Sequence, residues 1–512
     1  MAEAAVSLRS AVHIPRNLIT VTNPATGQKI ADLPVIDAAG VYAAVNEARA
    51  AQRQWAALSF AARAQALKRY RDVIIDSKDR LAAVIGSETG RPRPEVYTSE
   101  LFQLCDAIGY WSKHAPKLLA DEKVRPHLLK TKRAYVSYQP LGVVGIIAPW
   151  NFPFLLTIGE AIPALMAGNA VVIKPSEVTP LSALLGAELA GAAGLLHGLL
   201  QVVPGYGDTG GHLVDAADMI CFTGSVETGR KVAQRAAQRL IPVSLELGGK
   251  DPMIVLSDAN LERAANGCVW AGLFNSGQVC MSVERVYVEE PIHDEFVERV
   301  TQKVKQVRQG MTDELVEIGS MTFPPQLEKV EQHVRDAVQK GAKVLTGGRR
   351  NPNLEGLFYE PTVLTDVTHD MAIMRDETFG PVIPIMKVRD ADEALRLAND
   401  SRYGLTTSVW TRDGRTARML ARRLEAGSVC INDHMVNFGV TEAPMGGNKD
   451  SGLGARHGSQ GIRKFCRQQT VVIDRFGPNS EINWYPTTAR KARLFRRVVN
   501  LFHSDWRNKL RA

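Results

Sequence analysis

The sequence lacks the features that mark membrane spans, disulfide frameworks and zinc sites. No run of about eighteen apolar residues occurs, which argues against a membrane-spanning helix. The first residues carry no basic flank ahead of an apolar run, so we expect no secretory signal. The six cysteines show no CxxC spacing, which indicates a reducing compartment rather than a disulfide framework or a zinc site. We therefore expect a cytoplasmic protein with no bound metal.

The composition is that of an ordinary globular protein, with 45% hydrophobic and 23% charged residues. A chain of 512 residues is too long for a single hydrophobic core and predicts two or three domains. Neither an internal repeat nor a low-complexity linker divides it.

Positive charge is concentrated at the C-terminal end. The net charge is +8, and the tail from Thr487 contains eight basic residues and one acidic residue, so that the rest of the chain is near +1. The basic residues of the tail are Arg490, Lys491, Arg493, Arg496, Arg497, Arg507, Lys509 and Arg511. Because the body has no basic stripe with interleaved aromatic residues, we expect no nucleic-acid partner.

The same tail has apolar residues at helical spacing. These residues are Phe495, Val498, Val499, Phe502, Trp506 and Leu510. The pattern is typical of an interfacial amphipathic helix drawn to anionic lipid, which would place the protein at the inner membrane surface. The apolar side would equally suit packing on a neighbouring subunit or across a substrate entrance, and the sequence leaves both alternatives open.

Helical and strand patterns alternate along most of the chain. Helices are predicted over about Asp37–Phe60, Ala61–Gly86 and Leu155–Ala167. Strands are predicted at Tyr135–Ala148, Ala170–Ile173, Leu200–Val203 and Met219–Phe222, and in a second series from Asp251 to about Val429 that includes Arg285–Val288, Lys343–Leu345 and Val382–Met386. This alternation predicts an α/β fold with mostly parallel sheets covered by helices. We place the main domain boundary near Gly248–Gly249, where glycines would free the backbone to change direction.

One literal GxGxxG string occurs at Gly205–Gly210, after an apolar run. In a dinucleotide-binding fold an acid should close the following strand, but Met219–Phe222 runs into Thr223 and Gly224. The required acid follows an earlier strand instead, as Glu177. A plain glycine turn is therefore at least as good an interpretation of Gly205 and Gly207 as a pyrophosphate site.

A cysteine and a glutamate stand in two distinctive strings. Cys280 lies in NSGQVCMS, and Glu246 precedes it by thirty-four residues in LELGGK. Taken alone, such a cysteine is usually a buried small hydrophobe, and such a glutamate is the end of an element. Three further strings accompany them: PWNFP at Pro149–Pro153, KPSE at Lys174–Glu177 and ETFGP at Glu377–Pro381. In this order and at these intervals, the five strings resemble the aldehyde dehydrogenase superfamily, from about Thr22 to about Asp474.

The resemblance implies a particular fold and assembly. We expect a Rossmann-type cofactor domain (1–131 and 141–247), an α/β catalytic domain (248–448), small β bridging segments for oligomerisation (132–140 and 449–480) and a basic tail (481–512). A homodimer or a homotetramer is implied.

The resemblance also implies the chemistry. Cys280 would add to an aldehyde as a thiolate, while the Asn151 side chain and the Cys280 backbone N–H stabilise the oxyanion. Loss of hydride to the nicotinamide would leave a thioester, and Glu246 would activate the water that releases the acid. Relatives that transfer the acyl group to coenzyme A lack this glutamate, so Glu246 argues for water as the acceptor.

Cofactor contacts follow from the same resemblance. Lys174 and Glu177 would reach the adenosine ribose, Thr223–Gly229 would cradle the phosphates at the start of a helix, Glu377 would hold the nicotinamide ribose and Phe379 would pack near the ring. Ser225 alone would also fit a plain helix cap. The remaining candidate contacts are Trp150, Ser176, Gly207, Phe222, Gly224 and Leu247. Because Glu177 would repel a 2′-phosphate, we expect NAD rather than NADP, although Lys174 softens the repulsion.

The sequence departs from the family where a substrate carboxylate would be bound. Many relatives carry a basic residue at the position of Glu160, and some that oxidise succinate semialdehyde carry an arginine at the position of Gly159. Arg285 or Arg456 could substitute, and Glu160 could instead join a proton path to Cys280 or Glu246. The apolar neighbours of the site are Phe154, Leu155, Leu156, Val279 and Met281, which favours an uncharged aliphatic or aromatic aldehyde. One alternative is a small semialdehyde, because Ser282–Arg285 is similar to some bacterial succinate-semialdehyde dehydrogenases. The other is a catalytically idle NAD-binding relative, against which Cys280, Glu246 and Asn151 argue.

Overall fold

A computed structural model describes residues 17–503 of the chain. The predictions made for the first sixteen residues and for Trp506 and Leu510 lie outside the described residues. The chain divides into two compact units. One comprises Met1–Ala120 with Tyr138–Arg467, and the other comprises Asp121–Ser137 with Gln468–Ala512.

The strands are numbered in chain order. They are β1 (Leu18–Thr22), β2 (Lys29–Pro34), β3 (Glu122–Val124), β4 (Lys132–Pro140), β5 (Val143–Ile147), β6 (Ala170–Lys174), β7 (Leu200–Val202), β8 (Met219–Thr223), β9 (Val243–Glu246), β10 (Asp251–Val255), β11 (Val283–Glu289), β12 (Lys343–Thr346), β13 (Thr362–Thr365), β14 (Val382–Val388), β15 (Tyr403–Gly404), β16 (Thr406–Trp410), β17 (Ser428–Ile431), β18 (Asn448–Lys449), β19 (Gly452–Leu453) and β20 (Cys466–Asp474).

The α-helices are numbered in the same way. They are α1 (Ala38–Ala56), α2 (Phe60–Asp76), α3 (Lys78–Thr89), α4 (Arg93–Val96), α5 (Gln103–Leu118), α6 (Glu160–Met166), α7 (Leu181–Ala192), α8 (Gly207–Ala216), α9 (Val226–Ala237), α10 (Leu261–Leu273), α11 (His293–Val304), α12 (Pro324–Gln339), α13 (Ala372–Arg375), α14 (Ala391–Asn399), α15 (Gly414–Arg423), α16 (Gly458–Arg463) and α17 (Ala489–His503). Two π-helical segments (Tyr97–Phe102 and Leu155–Gly159) and three 3₁₀ turns (Phe274–Gly277, Glu290–Ile292 and Val436–Gly439) complete the helical structure of the described residues. None of the described helices is both long and apolar enough to cross a membrane.

Two large sheets form the framework of the first unit. One has the strand order β19-β9-β8-β5-β6-β7, with β5 to β9 parallel and β19 antiparallel to β9. The other has the order β12-β13-β14-β11-β10-β16-β17, parallel except for β12. Every residue of β5, β6, β10 and β16 is buried, as expected for parallel strands covered on both faces. The predicted α/β fold is confirmed.

The order of the first sheet reverses between β5 and β8, because the chain goes from β5 outward through β6 and β7 and then returns to the other side. Ligands of open α/β sheets bind at such a switch point, outside the carboxyl ends of the strands. The PWNFP string follows β5 there, and Gly224 follows β8.

Several elements begin and end where local chemistry requires. Asp37 caps α1 by accepting the N–H of Gly40, and Ser59 caps α2 by accepting the N–H of Ala62. The predicted helix over Ala61–Gly86 is in fact two helices, because the chain breaks at Ser77. The predicted strand over Tyr135–Ala148 is likewise two strands, separated at Gly142, whose φ of 133° interrupts the extended backbone.

The chain passes from one large sheet to the other over residues 247–250. The two glycines there allow close approach rather than a positive φ. A Cβ on Gly248 would lie 2.6 Å from Oε2 of Glu377, and one on Gly249 would lie 2.3 Å from the carbonyl oxygen of Cys280. The proposed division into cofactor and catalytic domains at this point stays a prediction.

The second unit contains parts of a three-stranded sheet of order β20-β4-β3, together with α17. Strand β3 pairs antiparallel with β4, and Lys132 forms ion pairs with Asp474, at 2.7 Å, and with Glu481. The bridging role of these strands stays a prediction.

Candidate active site

The three predicted catalytic residues line one cavity. Asn151 lies in the loop after β5, Glu246 ends β9, and Cys280 follows the 3₁₀ turn Phe274–Gly277. The cavity has a volume of about 140 Å³. Its lining residues are Pro149, Trp150, Asn151, Leu156, Thr223, Gly224, Ser225, Glu246, Leu247, Gly248, Cys280, Gln326, Glu377 and Phe379.

The loop that leads to Cys280 has a strained backbone that its surroundings hold in place. Asn275 and Ser276 both have φ of 52°, in the left-handed region that non-glycine residues avoid. The Asn275 amide donates to the carbonyl of Asn151 at 3.0 Å and to that of Gln278 at 3.2 Å, and the Ser276 hydroxyl donates to the carbonyl of Gly319 at 2.9 Å. The bond to Asn151 ties the cysteine loop to the PWNFP loop, and the bond to Gly319 ties it to a more distant part of the chain.

Arg91 completes this connection, and sequence reasoning missed it. Its buried guanidinium donates to Oδ1 of Asn275 at 3.0 Å, to the carbonyl of Asn151 and to Oε1 of Glu100 at 2.8 Å. Glu100 in turn accepts the N–H groups of Phe154 and Leu155. Nothing in the local sequence distinguishes Arg91 from a surface arginine such as Arg93, so no sequence signal could have found it.

Asn151 has a donor to spare for an oxyanion. Its side-chain amide donates one N–H to the carbonyl of Gln278 at 2.9 Å. Because a primary amide carries two N–H bonds, the second is available to a ligand in the cavity.

Cys280 rests as a thiol. Although the residue keeps some exposure, burial, with a smaller contribution from Asp251 and other carboxylates, raises the pKa of the Cys280 thiol to about 12. Arg456 acts in the opposite direction. The thiol therefore needs a base to take its proton before it can attack.

Glu246 has the properties of that base. Oε1 of Glu246 is buried and has no hydrogen-bond partner among residues 17–503. Burial raises the pKa of the Glu246 carboxyl to about 7, although Arg456 and Lys464 lower it. A carboxyl whose pKa lies near neutrality is well matched to general-base work at that pH.

Glu160 anchors a cationic cluster beside Glu246. Its carboxylate lies 2.5 Å from Nζ of Lys464 and 3.5 Å from Nε of Arg456. Arg456 also donates to the hydroxyl of Thr223 at 2.5 Å. Burial would raise the pKa of Glu160, but Lys464 and Arg456 outweigh it and bring the pKa to about 2. Glu160 thus stays ionised, which suits an anchor for Arg456 better than the proton carrier that the sequence suggested.

Neither arginine proposed to bind a substrate carboxylate is available for that role. The guanidinium of Arg285 is buried and donates to the carbonyls of Lys250, Leu397 and Ala398 at 2.8 to 3.0 Å, so that expectation was wrong. Arg456 is committed to Glu160 and Thr223.

A second, larger cavity of about 510 Å³ is also lined by Cys280. Its lining residues are Thr98, Ser99, Gln103, Phe152, Leu155, Leu156, Trp270, Phe274, Val279, Cys280, Met281, Asp433, His434, Met435, Val436, Phe438 and Gly439. Phe274 stacks on Phe152 with ring centroids 6.2 Å apart, and Trp270 packs on Phe274 at 5.3 Å. No lysine or arginine is among these described lining residues, and burial lowers the pKa of His434 to about 4, which keeps it neutral.

The residues around the smaller cavity fit a nicotinamide dinucleotide. Ser225 caps α9 by accepting the N–H of Thr228, so the helix begins beside the cavity and its free N–H groups suit a pyrophosphate. Nζ of Lys174 lies 3.2 Å from Oε2 of Glu177, a partly exposed carboxylate of the kind that accepts ribose hydroxyls. Trp150 and Phe379 meet edge to face with centroids 5.5 Å apart.

A buried ion pair holds Glu377 and Phe379 in place. Nζ of Lys250 lies 2.6 Å from Oε2 of Glu284, and Glu284 accepts the N–H groups of Thr378 at 2.7 Å and Phe379 at 2.8 Å. Glu377 itself accepts the N–H of Gly249 at 2.9 Å. The Ser282–Arg285 string, which suggested a small semialdehyde as substrate, thus contains a residue, Glu284, that positions the backbone at Thr378 and Phe379.

Five predicted cofactor contacts do not line this cavity, namely Lys174, Ser176, Glu177, Gly207 and Phe222. Ser176 accepts the N–H of Val178, Phe222 is buried in β8, and Gly207 is the first residue of α8. A Cβ on Gly205 would lie 2.0 Å from Oγ1 of Thr209, so packing accounts for the first glycine of the GxGxxG string. The contacts of all the predicted residues with a cofactor stay predictions.

Comparison with known proteins finds one family, two relatives and one solved structure that are similar to this chain. The model of the aldehyde dehydrogenase family matches residues 13–471. A Mycolicibacterium smegmatis protein, provisionally named succinate-semialdehyde dehydrogenase (NADP(+)), is 44% identical over 453 residues, which cover 88% of this chain and 87% of that protein. The 4,4'-diapolycopene aldehyde oxidase of Methylomonas sp is 37% identical over 490 residues, which cover 95% of this chain and 92% of that protein. The crystal structure of a Mycobacterium tuberculosis aldehyde dehydrogenase complexed with NAD+ superposes with a TM-score of 0.86 at 35% identity, covering 90% of this chain and 96% of that one.

Proposed function

The chain belongs to the aldehyde dehydrogenase family, and we propose that its substrate is an uncharged, apolar aldehyde. It is an NAD(P)-dependent enzyme that oxidises an aldehyde to the acid; the class of aldehyde is what we add. The observation that carries the proposal is the cavity of about 510 Å³ at Cys280, whose described walls are mostly aromatic and aliphatic and include no lysine or arginine.

An aldehyde that bears a carboxylate would bind poorly in this cavity. A buried carboxylate without a partner costs several kcal/mol, and Asp433 would add repulsion. Of the two aldehydes in the names of the relatives, the cavity thus favours one like 4,4'-diapolycopene aldehyde over succinate semialdehyde. Succinate semialdehyde stays the second candidate, since the more identical relative carries its name.

The site residues support the following sequence of events. Glu246 takes the proton of the Cys280 thiol, and the sulfur adds to the aldehyde carbon. The free N–H of Asn151 and the backbone N–H of Cys280 stabilise the resulting oxyanion, each by about 2.7–4 kcal/mol. Bound NAD(P)+ supplies the acceptor for the hydride that leaves this carbon.

Hydrolysis then regenerates the cysteine. Glu246 first releases to solvent the proton that it took from Cys280, and then takes a proton from a water molecule. The oxygen of that water attacks the thioester carbon, the carbon–sulfur bond breaks to release the acid, and Glu246 returns its proton to the thiolate. The intact set of Cys280, Glu246 and Asn151 speaks against an idle relative.

For the cofactor we propose NAD in preference to NADP. The carboxylate of Glu177 suits two ribose hydroxyls and repels a 2′-phosphate. Lys174 is already paired with Glu177 at 3.2 Å, so its charge is largely committed. The relatives point both ways, since one name specifies NADP(+) and one structure contains NAD+.

For assembly and location we propose a homodimer or homotetramer in the cytoplasm. Strands β3, β4 and β20 would supply the subunit contacts, and the tail would contact the inner membrane surface.

One assay tests substrate and cofactor together. Purified protein is mixed with NAD+ or NADP+ and a panel of aliphatic, aromatic and carboxylate-bearing aldehydes, and the absorbance of the reduced cofactor is followed. We expect kcat/KM for apolar aldehydes to exceed that for succinate semialdehyde by at least about tenfold. The reverse ranking would overturn the substrate proposal, and no turnover despite bound NAD+ would favour the idle relative.

A further inference from the structure

Helix α17 has one apolar side and one basic side. At 100° per residue, the apolar side is formed by Leu494, Phe495, Val498, Val499, Leu501 and Phe502. The basic side is formed by Arg490, Arg493, Arg496 and Arg497. The basic side spans residues 490–497 and the apolar side spans residues 494–502, and Lys491 lies on the apolar side in the first turn. The helix is therefore amphipathic over its central and C-terminal turns.

The apolar side is exposed. Val499, Leu501 and Phe502 are 56%, 61% and 60% exposed, and none of the fifteen residues of α17 is buried. A contiguous apolar surface of this kind marks an interaction site. Two aromatic residues that precede the helix, Trp484 and Tyr485, are also exposed, at 55% and 89%.

The charge of the segment selects the partner. No aspartate or glutamate occurs between Thr487 and His503, while five basic residues do. A second copy of α17 would bring like charges together in a symmetric pair. An anionic bilayer surface instead offers an apolar interior to one side of the helix and phosphates to the other, and Trp and Tyr favour the boundary between them.

We propose that α17 binds the surface of an anionic phospholipid bilayer, with its apolar side among the acyl chains and its arginines at the headgroup phosphates. The proposal does not depend on the identity of the aldehyde. It places an enzyme of apolar aldehydes where such molecules concentrate.

Vesicle flotation of the full-length protein tests this proposal. The vesicles contain either phosphatidylcholine alone or phosphatidylcholine with phosphatidylglycerol. The tail variant combines Arg493→Glu, Arg496→Glu and Arg497→Glu. The matched control combines Arg415→Glu, Arg418→Glu and Arg422→Glu on α15, which are also exposed and change the net charge equally. A third variant, with Phe495→Gln, Val499→Gln and Phe502→Gln, removes the apolar side.

We expect flotation with the anionic vesicles that added salt weakens, and little with the neutral ones. The tail variant and the apolar variant should each partition at least about tenfold less, and the control as the wild type does. Equal oxidation of a water-soluble aldehyde without vesicles verifies that all variants are folded, and it separates this test from that of the proposed function.

Three results would overturn the proposal. One is a wild-type protein that does not float with anionic vesicles. Another is a tail variant that floats with them to the same extent as the control variant. The third is an apolar variant that floats normally but has a changed mass by light scattering, which would assign the apolar side to a neighbouring subunit.

Discussion

Nε of Arg456 lies 4.0 Å from Oε1 of Glu246. The same nitrogen lies 3.5 Å from Oε2 of Glu160, so one guanidinium is shared by two buried carboxylates. Of the two, Glu160 stays ionised and Glu246 titrates near neutrality. The charge balance around Arg456 therefore sets the pH at which the base works.

Removing Arg456 should shift that pH upward. Arg456 lowers the pKa of Glu246 from the value that burial alone would give. In Arg456→Gln the pKa of Glu246 should rise. Because a base must be deprotonated to act, thioester hydrolysis should begin to decline, as the pH is lowered, at a higher pH than in the wild type. Single-turnover hydrolysis measured across pH gives the midpoint, which we expect to move up by about one unit.

The matched variant Glu160→Gln should do the opposite. Glu160 raises the pKa of Glu246 and holds Arg456 away from it. Without that charge the midpoint should move to lower pH. Shifts of both variants in the same direction would contradict this role for Arg456, and Lys464, the other cation near Glu246, would then be the group to examine.

Cys280→Ser should reduce turnover by at least about a thousandfold, because an alcohol is far harder to ionise than a thiol. Cys105→Ser is the control, since Cys105 lies on α5 and lines neither cavity. Steady-state rates with an apolar aldehyde check the prediction. An undiminished rate in the Cys280 variant would end the covalent mechanism.

Glu246→Gln should slow both steps that need the base, the attack by Cys280 and the hydrolysis of the thioester. We expect single-turnover formation of reduced cofactor and steady-state turnover each to be at least about a hundredfold slower, because neither the thiol nor the water molecule is deprotonated efficiently. An acyl group that does form should persist on Cys280, which mass spectrometry of the intact protein and peptide mapping would show. A burst of reduced cofactor at the wild-type rate would assign Glu246 to the hydrolysis step alone.

Glu177→Gln should relax the choice of cofactor. Loss of the carboxylate removes repulsion of a 2′-phosphate and frees Lys174 to pair with it, so the KM for NADP+ should fall by about tenfold while that for NAD+ rises. Glu188→Gln, which alters an exposed ion pair with Arg80, serves as the control. Unchanged KM values for both cofactors would separate Glu177 from cofactor choice.

Arg91→Met should destabilise the fold and not merely the site. It leaves Glu100 buried without its charge partner, which costs about 3–5 kcal/mol, and the melting temperature should fall accordingly. Arg93→Met, two residues away, breaks an exposed pair with Asp313 and should cost less than about 1 kcal/mol. Similar losses in both variants would argue against a special role for Arg91.

Short sequence motifs predicted those site residues whose position depends on one adjoining strand or helix. Asn151 follows β5, Glu246 ends β9, and Ser225 starts α9, so each is positioned by the element it adjoins. Alternation of apolar runs with helical patterns likewise predicted both parallel sheets. Breaks at Ser77 and Gly142 were missed because one residue suffices to interrupt an otherwise continuous pattern.

Contacts between distant parts of the chain could not be predicted from the sequence. Arg91 donates a hydrogen bond to Asn275, which is 184 positions away in the sequence. The Arg285 guanidinium donates to the carbonyls of Leu397 and Ala398, which are more than 110 positions away. An arginine that binds backbone carbonyls is indistinguishable in sequence from one that awaits a substrate, which explains the wrong expectation for Arg285. Glycines such as Gly249 have the same ambiguity, since turns and close contacts both require them.

Cys280 lines both cavities, and Leu156 is the other described residue that borders both. A substitution at Leu156 therefore alters both cavities at once, whereas a substitution at any other described lining residue except Cys280 alters one cavity alone. Leu156 is thus the position at which a change in the preference for aldehydes is expected to be accompanied by a change in cofactor affinity.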